Sequence, residues 1–254
     1  MKILLISGHG AGDPGASTKL GVEADEAIYM VKKIKEALTG YATVTLYPTE
    51  RNAYKDIQNK SLKVDFNDYD YVLEVHFNAA VGDIKGNGKT IGTEIYVTIA
   101  EKTVGVEYKI LEQLSKQGLK NRGVKRKNYT VISKAKAAGT SSALLETCFI
   151  DDADDMKIYS EKKDEMCKGI ANAIITQFKL KKTTVKDNTI KKGDTVCIKS
   201  GAVYGGLAKT RGKKVPDSVL KKKYQVQKVE THKNVKEALL GGINSWVAVK
   251  YLNK

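Results

Sequence analysis

The stretch KILLISGHG, residues 2–10, runs from a series of Ile and Leu residues directly into a polar, glycine-rich turn. The stretch YVLEVHFNA, residues 71–79, repeats that arrangement further along the chain. Short apolar runs that end at turn-prone residues are typical of strands buried on both faces. Both stretches therefore predict buried strands, at Lys2–Ser7 and Tyr71–Phe77, and each carries a histidine at or just past its carboxyl end.

Strands and helices alternate on either side of these two stretches. Ile28, Val31, Ile34 and Leu38 recur at helical spacing after an acidic first turn, which predicts a helix closed by Gly40. Further strands are predicted at Thr43–Leu46, Glu94–Ile99, Tyr129–Ile132 and Ser142–Thr147, and further helices at Val106–Leu119 and Asp164–Phe178. This alternation predicts an α/β fold with a mixed, mostly parallel sheet flanked by helices.

The charge is unevenly spread along the chain. Of 254 residues with a net charge of +15, residues 1–180 contain 26 Lys and Arg against 24 Asp and Glu, a net of +2. Residues 181–254 contain 18 against 5, a net of +13. Residues 181–191 are polar and lack an apolar face, so we predict a linker there, between a domain at 1–180 and a small β-rich module at 192–254.

Composition excludes several classes of protein. A hydrophobic content of 41% with three prolines excludes collagen-like and wholly disordered chains. The start MKILLIS has four consecutive apolar residues, too few for a signal peptide or a membrane span, so we expect synthesis in the cytoplasm. Cys148, Cys167 and Cys197 form an odd set without C-x-x-C spacing, which favours small buried thiols over disulfides or a Cys-rich zinc site.

The two histidines of the buried strands are candidates for chemistry. Ligands bind in α/β sheets in the crevice beyond the carboxyl ends of the strands, so His9 and His76 could converge there. The third histidine, His232, is flanked by Thr231 and Lys233, and we expect it to be an exposed polar residue.

Two glutamates accompany the histidines. Glu26 lies in the first turn of the helix after the His9 loop, and Glu146 lies near the end of the apolar strand ALLETCF. Two imidazoles and one carboxylate make a zinc site with one coordination position open for water, and a second glutamate beside it could move protons. By spacing alone, a helix-terminal charge for Glu26 and a strand-end hydrogen bond for Glu146 stay open as alternatives.

The motifs together resemble a known family. GHGAGDPGA at 8–16, the acidic helix start, LEVHFNA at 73–79, GTEIYV at 92–97, NRGVK at 121–125 and LLETCFIDDADD at 144–155 resemble the zinc-dependent N-acetylmuramoyl-L-alanine amidases of bacterial autolysins and phage endolysins. The resemblance covers most of residues 1–180, in the family's order.

The resemblance implies a role for each candidate residue. It implies one Zn²⁺ held by His9, Glu26 and His76, with Glu23 one turn earlier as the alternative to Glu26, and Glu146 as the catalytic acid/base. It implies cleavage of the amide bond between N-acetylmuramic acid and L-alanine in peptidoglycan. Asn78, Glu94 and Arg122 are candidates for the substrate groove, with structural roles as the alternative.

The basic module at 192–254 carries a second, weaker resemblance. KKGDTVCIKSGAVYGG and SWVAVKYL are similar to the SH3-like wall-binding domains of such lysins. A charge of +13 fits the phosphates of teichoic acids and the carboxylates of stem peptides, and we expect no nucleic acid partner because no zinc-finger or helix-turn-helix signature is present. The expected place of action is the cell wall, after release from the cytoplasm. The competing hypothesis is a non-catalytic, basic polyanion-binding protein.

Overall fold

The computed structural model describes residues 1–80, 82–183, 190–206, 209–220 and 222–254. The chain divides into two compact units, Met1–Thr183 and Thr184–Lys254. Most of the predicted linker, residues 184–189, lies outside the described residues, so the linker boundaries at 181 and 191 stay predictions.

The first unit is built around a mixed sheet. Its strands are β1 (Lys2–Ser7), β2 (Ser17–Thr18), β3 (Gly21–Val22), β4 (Thr43–Leu46), β5 (Tyr71–Asn78), β6 (Thr93–Val97), β7 (Asn121–Arg126) and β8 (Ser141–Phe149). The main sheet has the order β4-β1-β5-β8-β6-β7, while β2 and β3 form a small separate hairpin. β4, β1, β5 and β8 are parallel, and β6 runs antiparallel to β8 and parallel to β7. The predicted mixed, mostly parallel sheet is confirmed.

Helices cover both faces of this sheet. They are α1 (Glu23–Ala37), α2 (Ala53–Gln58), α3 (Gly105–Lys116), α4 (Thr130–Ala137) and α5 (Ala153–Gln177). One core packs α1, α3 and α5 against alternate strand residues such as Ile3, Leu5 and Leu73. The other core packs α2 and α4 against the residues between them, such as Leu4 and Val72. Because both faces are buried, the central strands need the continuous apolar runs seen in the sequence.

The structure corrects the prediction for residues 129–132. The β-branched run at Thr130 and Val131 favours a strand, but these residues begin α4 instead. Val131 and Ala135, one helical turn apart, are both buried against the sheet. Tertiary packing therefore overrides the local β-propensity.

Two further differences concern the start of α5 and the presence of β7. The predicted helix at Asp164–Phe178 is the second half of α5, whose capping residue Asp152 accepts a hydrogen bond from the backbone N–H of Asp155. Strand β7 has no counterpart among the predicted elements, because its sequence NRGVKR is polar and contains a glycine. It lies at the edge of the sheet, where polar strands are tolerated.

The second unit is a small β-rich fold, as predicted. Its elements are β9 (Thr195–Ile198), α6 (Asp217–Leu220), β10 (Lys223–His232), β11 (Val235–Leu240), β12 (Ser245–Ala248) and β13 (Leu252–Asn253). The sheet is antiparallel with the order β12-β11-β10-β9-β13. Among the residues that the structure describes, no helix in either unit is long and apolar enough to span a bilayer.

His232 is not the exposed residue that its flanking sequence suggests. Its ring Nδ1 lies 3.0 Å from the buried carboxylate of Glu237, and its ring packs edge-on against Trp246, with ring centroids 4.5 Å apart. Glu237 also accepts a hydrogen bond from the backbone N–H of Gly206. His232 is therefore part of a buried polar network inside the second unit, and its role is structural.

Candidate active site

The two predicted histidines meet at one edge of the sheet. His9 follows β1 and His76 lies near the end of β5, and these neighbouring strands are parallel, so their carboxyl ends share an edge. The two imidazole rings pack edge to face with centroids 5.0 Å apart. His9 has a φ of 63°, a left-handed backbone conformation uncommon outside glycine and often found at functional sites.

Glu23 joins the two histidines. Its Oε1 lies 3.1 Å from Nε2 of His9 and 2.9 Å from Nδ1 of His76. The carboxylate is held in place because it also accepts hydrogen bonds from the backbone N–H groups of Ala16 and Phe77. Burial opposes ionisation, but the hydrogen bonds from His76 and His9 outweigh it and hold the pKa of Glu23 well below its ordinary value.

Glu26, which the sequence favoured for this position, points elsewhere. Its Oε2 accepts a hydrogen bond of 2.7 Å from the Tyr159 hydroxyl and lies 3.3 Å from Nζ of Lys163, both on α5. Three residues along a helix correspond to about 4.5 Å of rise, which carries Glu26 past the histidines and towards α5. The grouping of Glu26 with His9 and His76 is therefore corrected in favour of Glu23.

Two further carboxylates contact the imidazoles, at the ring nitrogens that do not face Glu23. Nδ1 of His9 lies 3.2 Å from Oδ2 of Asp13, and Nε2 of His76 lies 3.2 Å from Oε1 of Glu74. Neither Asp13 nor Glu74 was among the candidate site residues identified from the sequence. The available signal was the position of Glu74 two residues before His76 in an apolar strand, because residues i and i+2 share a face.

These carboxylates create a strong preference for positive charge. The hydrogen bond that the His9 ring donates to Glu23 raises the pKa of His9. Burial by itself would lower the pKa of His76, but Glu23 and Glu74 reverse that effect and raise it well above its ordinary value. A site with this excess of negative charge is electrostatically suited to a cation.

Glycines allow the close packing of this site. A Cβ on Gly8 would overlap the ring of His76. At Gly15 a Cβ would lie 2.6 Å from both Oε2 of Glu23 and the His9 ring, and the backbone there has a φ of 65°. In the motif GHGAGDPGA, Gly8 is therefore needed because no side chain fits there. Gly15 is needed for the same reason and for its left-handed backbone conformation.

Glu146 lies beside the histidine pair. It is the register partner of His76 across the parallel strands β5 and β8, so the two side chains share one face of the sheet. Its Oε2 is buried and has no hydrogen-bond partner within the described part of the chain. Burial raises the pKa of Glu146 to about 7. An unpartnered carboxyl with such a pKa can both accept and return a proton near neutral pH.

The other predicted site residues form a second polar cluster. Glu94 on β6 is the register partner of Glu146. Its carboxylate accepts hydrogen bonds from Asn78, Arg122, Lys125 and the Tyr96 hydroxyl. Asn78, Glu94 and Arg122 are thus brought together next to Glu146. Lys125 was not identified from the sequence, where nothing distinguishes it from the other lysines.

A cleft with a volume of about 340 Å³ opens over His9, His76 and Glu146. Its floor is formed by the histidine pair and Glu146, and its rim includes Tyr54 and Tyr129. The side chain of Tyr54 is 52% exposed, unusual for an aromatic residue. The cleft is therefore an open groove with polar groups at its base and aromatic rings at its edge, a form that suits an extended polar ligand.

Among the described residues, one group has the composition and spacing of a metal centre. The candidate ligand atoms of His9, Glu23 and His76 all lie within 4.8 Å of one another. Two imidazoles and one carboxylate are a known ligand set for catalytic zinc, and the outward hydrogen bonds to Asp13 and Glu74 are the support that zinc-binding histidines usually have. The residues present therefore fit a zinc ion.

Comparison with known proteins agrees with this geometry. Residues 3–176 match the model of the N-acetylmuramoyl-L-alanine amidase family. An endolysin of Bacillus phage SPP1 is 29% identical over 191 residues, which cover 71% of this chain and 67% of that protein. An uncharacterised protein of Clostridium perfringens is 31% identical over 181 residues, covering 68% of this chain and 51% of that protein. The match thus spans about half the length of this second relative.

Solved structures show the same fold. The crystal structure of an N-acetylmuramoyl-L-alanine amidase from Clostridium difficile superposes with a TM-score of 0.58 at 21% identity, covering 70% of this chain and 96% of that one. The catalytic domain of the CD27L endolysin, which targets the same species, superposes with a TM-score of 0.56 at 20% identity over 69% of this chain. The aligned share corresponds in size to the first unit.

Proposed function

This chain belongs to the N-acetylmuramoyl-L-alanine amidase family, and we propose that it cleaves bacterial peptidoglycan with a zinc ion held by His9, Glu23 and His76. The bond cut is the amide between the lactyl group of N-acetylmuramic acid and L-alanine of the stem peptide. The observation that carries the proposal is the convergence of these three ligand atoms within 4.8 Å, beside the buried carboxyl of Glu146.

The protein's own residues supply the proton transfers. Zinc, when bound, supplies a Lewis acid that polarises the amide carbonyl and lowers the pKa of water at its open coordination position. Glu146 takes a proton from the attacking water and delivers it to the leaving nitrogen as the C–N bond breaks. The products are a lactyl carboxylate on the sugar and a free amine on L-alanine. Asp13 and Glu74 act through the histidines, by fixing which ring nitrogen faces the metal.

The basic second unit has a separate proposed role. Its high positive charge would hold the enzyme on the phosphates of teichoic acids or on other acidic wall polymers. The similarity of the first unit to an endolysin supports action on the cell wall. The second unit thus raises the local concentration of the catalytic unit at its substrate.

Metal content and wall lysis test the catalytic proposal together. The purified chain is expected to bind one zinc ion and to reduce the turbidity of a wall suspension, and a chelator should abolish the lysis. Failure to bind zinc and failure to lyse walls would favour the non-catalytic polyanion-binding alternative.

Four variants assign the individual roles. Glu23→Gln and His76→Ala are expected to lose zinc, whereas Glu26→Gln, a matched control three residues from Glu23, should keep both zinc and lysis. Glu146→Gln should keep zinc and lose at least about 100-fold in rate, because general acid–base catalysis contributes 10²–10⁴-fold. A Glu26→Gln protein without zinc, or a Glu146→Gln protein with full activity, would contradict the assignment.

A further inference from the structure

A row of polar side chains crosses the sheet on the face that bears the active site. His76 on β5 is paired with Glu146 on β8, Glu146 is paired with Glu94 on β6, and Glu94 binds Arg122 on β7. Neighbouring strands lie about 4.8 Å apart, so the backbone of Arg122 is about 10 Å from that of Glu146, and its side chain reaches back to Glu94. The row therefore leads from the proposed reaction centre towards the edge of the sheet.

Glu94 is fully engaged inside this row. Its side chain is about 1% exposed. It accepts hydrogen bonds from Nε of Arg122 at 2.6 Å, the Tyr96 hydroxyl at 2.9 Å and Nδ2 of Asn78 at 3.0 Å, besides its ion pair with Lys125. Burial opposes ionisation, but the hydrogen bonds from Arg122, Lys125 and Tyr96 hold the pKa of Glu94 below its ordinary value. Glu94 is thus an ionised anchor that fixes the positions of two cations.

Arg122 keeps unused binding capacity. It donates through Nε, and no group in the described ranges accepts a hydrogen bond from its two terminal nitrogens. Its guanidinium lies 5.0 Å from the centre of the Phe149 ring, which supports it from one side. The side chain is 30% exposed, and the two cations outnumber the one carboxylate between them. A rigid, exposed pair of N–H donors with surplus positive charge is the usual arrangement for binding a carboxylate.

We propose that Arg122 binds the first carboxylate of the stem peptide after the cleaved bond. This inference rests on the proposed function. The guanidinium is held by Glu94, which is the register partner of Glu146, so it lies near the proposed reaction centre and close to the residues that follow the cleaved bond. In stem peptides L-alanine is followed by a γ-linked D-glutamate, whose α-carboxyl is free in some walls and amidated in others. Arg122 therefore makes the enzyme selective for the free acid, and Glu94 is its positioning residue.

Matched substrates test this selectivity. Two disaccharide-linked stem peptides are compared that differ only in the α-carboxyl of the D-glutamate, which is free in one and a carboxamide in the other. The zinc-loaded full chain is expected to favour the acid by about 10–100-fold in kcat/KM, mainly through KM, since hydrogen bonds to charged groups contribute about 1.5–3 kcal/mol. Arg122→Gln should bring this ratio close to one, and Arg122→Lys should retain part of it.

A control variant and three outcomes distinguish selective binding by Arg122 from general electrostatic attraction, from a structural role and from a failure of the proposed function. Lys120→Gln removes an exposed charge just before β7 and should keep the wild-type ratio, which controls for general electrostatic attraction. Equal cleavage of acid and amide by the wild-type chain would overturn the inference and leave the proposed function intact. An Arg122→Gln protein that loses the same factor on both substrates would also overturn it, in favour of a structural role. Cleavage of neither substrate by the wild-type chain would overturn the proposed function and the inference together.

Discussion

Glu94 and Glu146 are register partners on neighbouring strands, yet their environments drive their pKa values apart. Glu94 is buried and has four donors around it, whereas Glu146 is half-buried and its buried Oε2 has no partner among the described residues. The pKa of Glu94 is therefore lowered, and that of Glu146 rises to about 7. One carboxyl is thus suited to hold cations and the other to exchange protons, a division of roles that environment alone creates.

The burial of Glu107 leads us to expect that the protein loses stability as the pH rises. Its Oε1 accepts a hydrogen bond from Tyr71, its Oε2 is buried without a partner in the described part of the chain, and burial raises its pKa to about 7. The folded state thus favours the protonated form of Glu107. The contribution of Glu107 to the free energy of unfolding is therefore greatest below about pH 4.5, its pKa in the unfolded chain. It falls as the pH rises to about 7 and is constant above that. Glu107→Gln should be more stable than wild type at pH 8, by about 3 kcal/mol, and similar at pH 4.

Denaturant unfolding across this pH range measures the difference. Glu112→Gln is the matched control on the same helix, because Glu112 is exposed and pairs with Lys116 at the surface. It should follow the pH profile of the wild-type chain. A Glu107→Gln protein whose difference from wild type does not change with pH would show that folding does not raise the pKa of Glu107.

A side chain at Gly8 is expected to disturb the proposed metal centre through steric overlap alone. Its backbone has no positive φ, so alanine is permitted by conformation, but the added Cβ would overlap the His76 ring. Gly8→Ala should therefore displace His76 and weaken zinc binding at least 10-fold, measured by competition with a chelating dye. Gly12→Ala is the control in the same loop, where a Cβ meets nothing within 4 Å. With a φ of 82° it should cost roughly 1 kcal/mol of stability and leave zinc affinity unchanged.

The residues of the site could be predicted to different degrees. His76 and Glu146 lie on strands and His9 follows one, and the apolar pattern of these strands predicts that the three side chains lie at the same edge of the sheet. Glu23 and Glu26 lie in the same helical turn, and sequence spacing cannot distinguish them, because the choice depends on α5 supplying Tyr159 and Lys163 to Glu26. Lys125 could not be recognised, since its partner Glu94 is 31 residues away.

At the scale of elements, burial pattern explains which predictions succeeded. β1, β5 and β8 are mostly buried and rich in apolar residues, and they were predicted to within a few residues. The edge strand β7 is polar and was missed, and α4 was taken for a strand because only packing against the sheet reveals its helical period. The elements that carry Arg122 and Tyr129 are thus those whose conformation depends on tertiary contacts.

Residues 87–89, in the segment between Asn78 and Glu94, are bound to the start of α5 by the carboxylate of Asp154. Oδ2 of Asp154 accepts hydrogen bonds from the backbone N–H groups of Asn87, Gly88 and Lys89, at 2.7–3.2 Å. Asp154→Ala should free these amides, so their hydrogen exchange is expected to accelerate at least 10-fold while exchange in β5 stays unchanged. Glu161→Gln, an exposed acidic position on the same helix, is the control. Unchanged exchange at residues 87–89 in the Asp154→Ala protein would show that other contacts hold the segment.

At the scale of the whole molecule, the charge is divided according to the proposed roles. The catalytic residues lie in the nearly neutral part of the chain, whereas the positive charge lies in a unit whose buried polar groups, Glu237 and His232, are engaged with each other. The second unit therefore offers surface charge and no catalytic cluster among its described residues. An anchor of this kind binds through many weak ionic contacts, each of which salt screens.

Salt should consequently release the protein from cell walls. The full-length Glu146→Gln chain, which is expected to bind without lysing, should pellet with isolated walls at 20 mM NaCl and be largely released at about 500 mM, where the Debye length falls to about 4 Å. Replacing the exposed lysines 209, 213, 214, 222 and 236 by glutamine should lower the salt concentration needed for release. The same number of replacements in the first unit, at exposed lysines 32, 35, 60, 102 and 120, removes equal charge and should have little effect. Equal weakening by both sets would mean that net charge alone drives adsorption, and salt-insensitive binding would mean that the second unit recognises a neutral wall component.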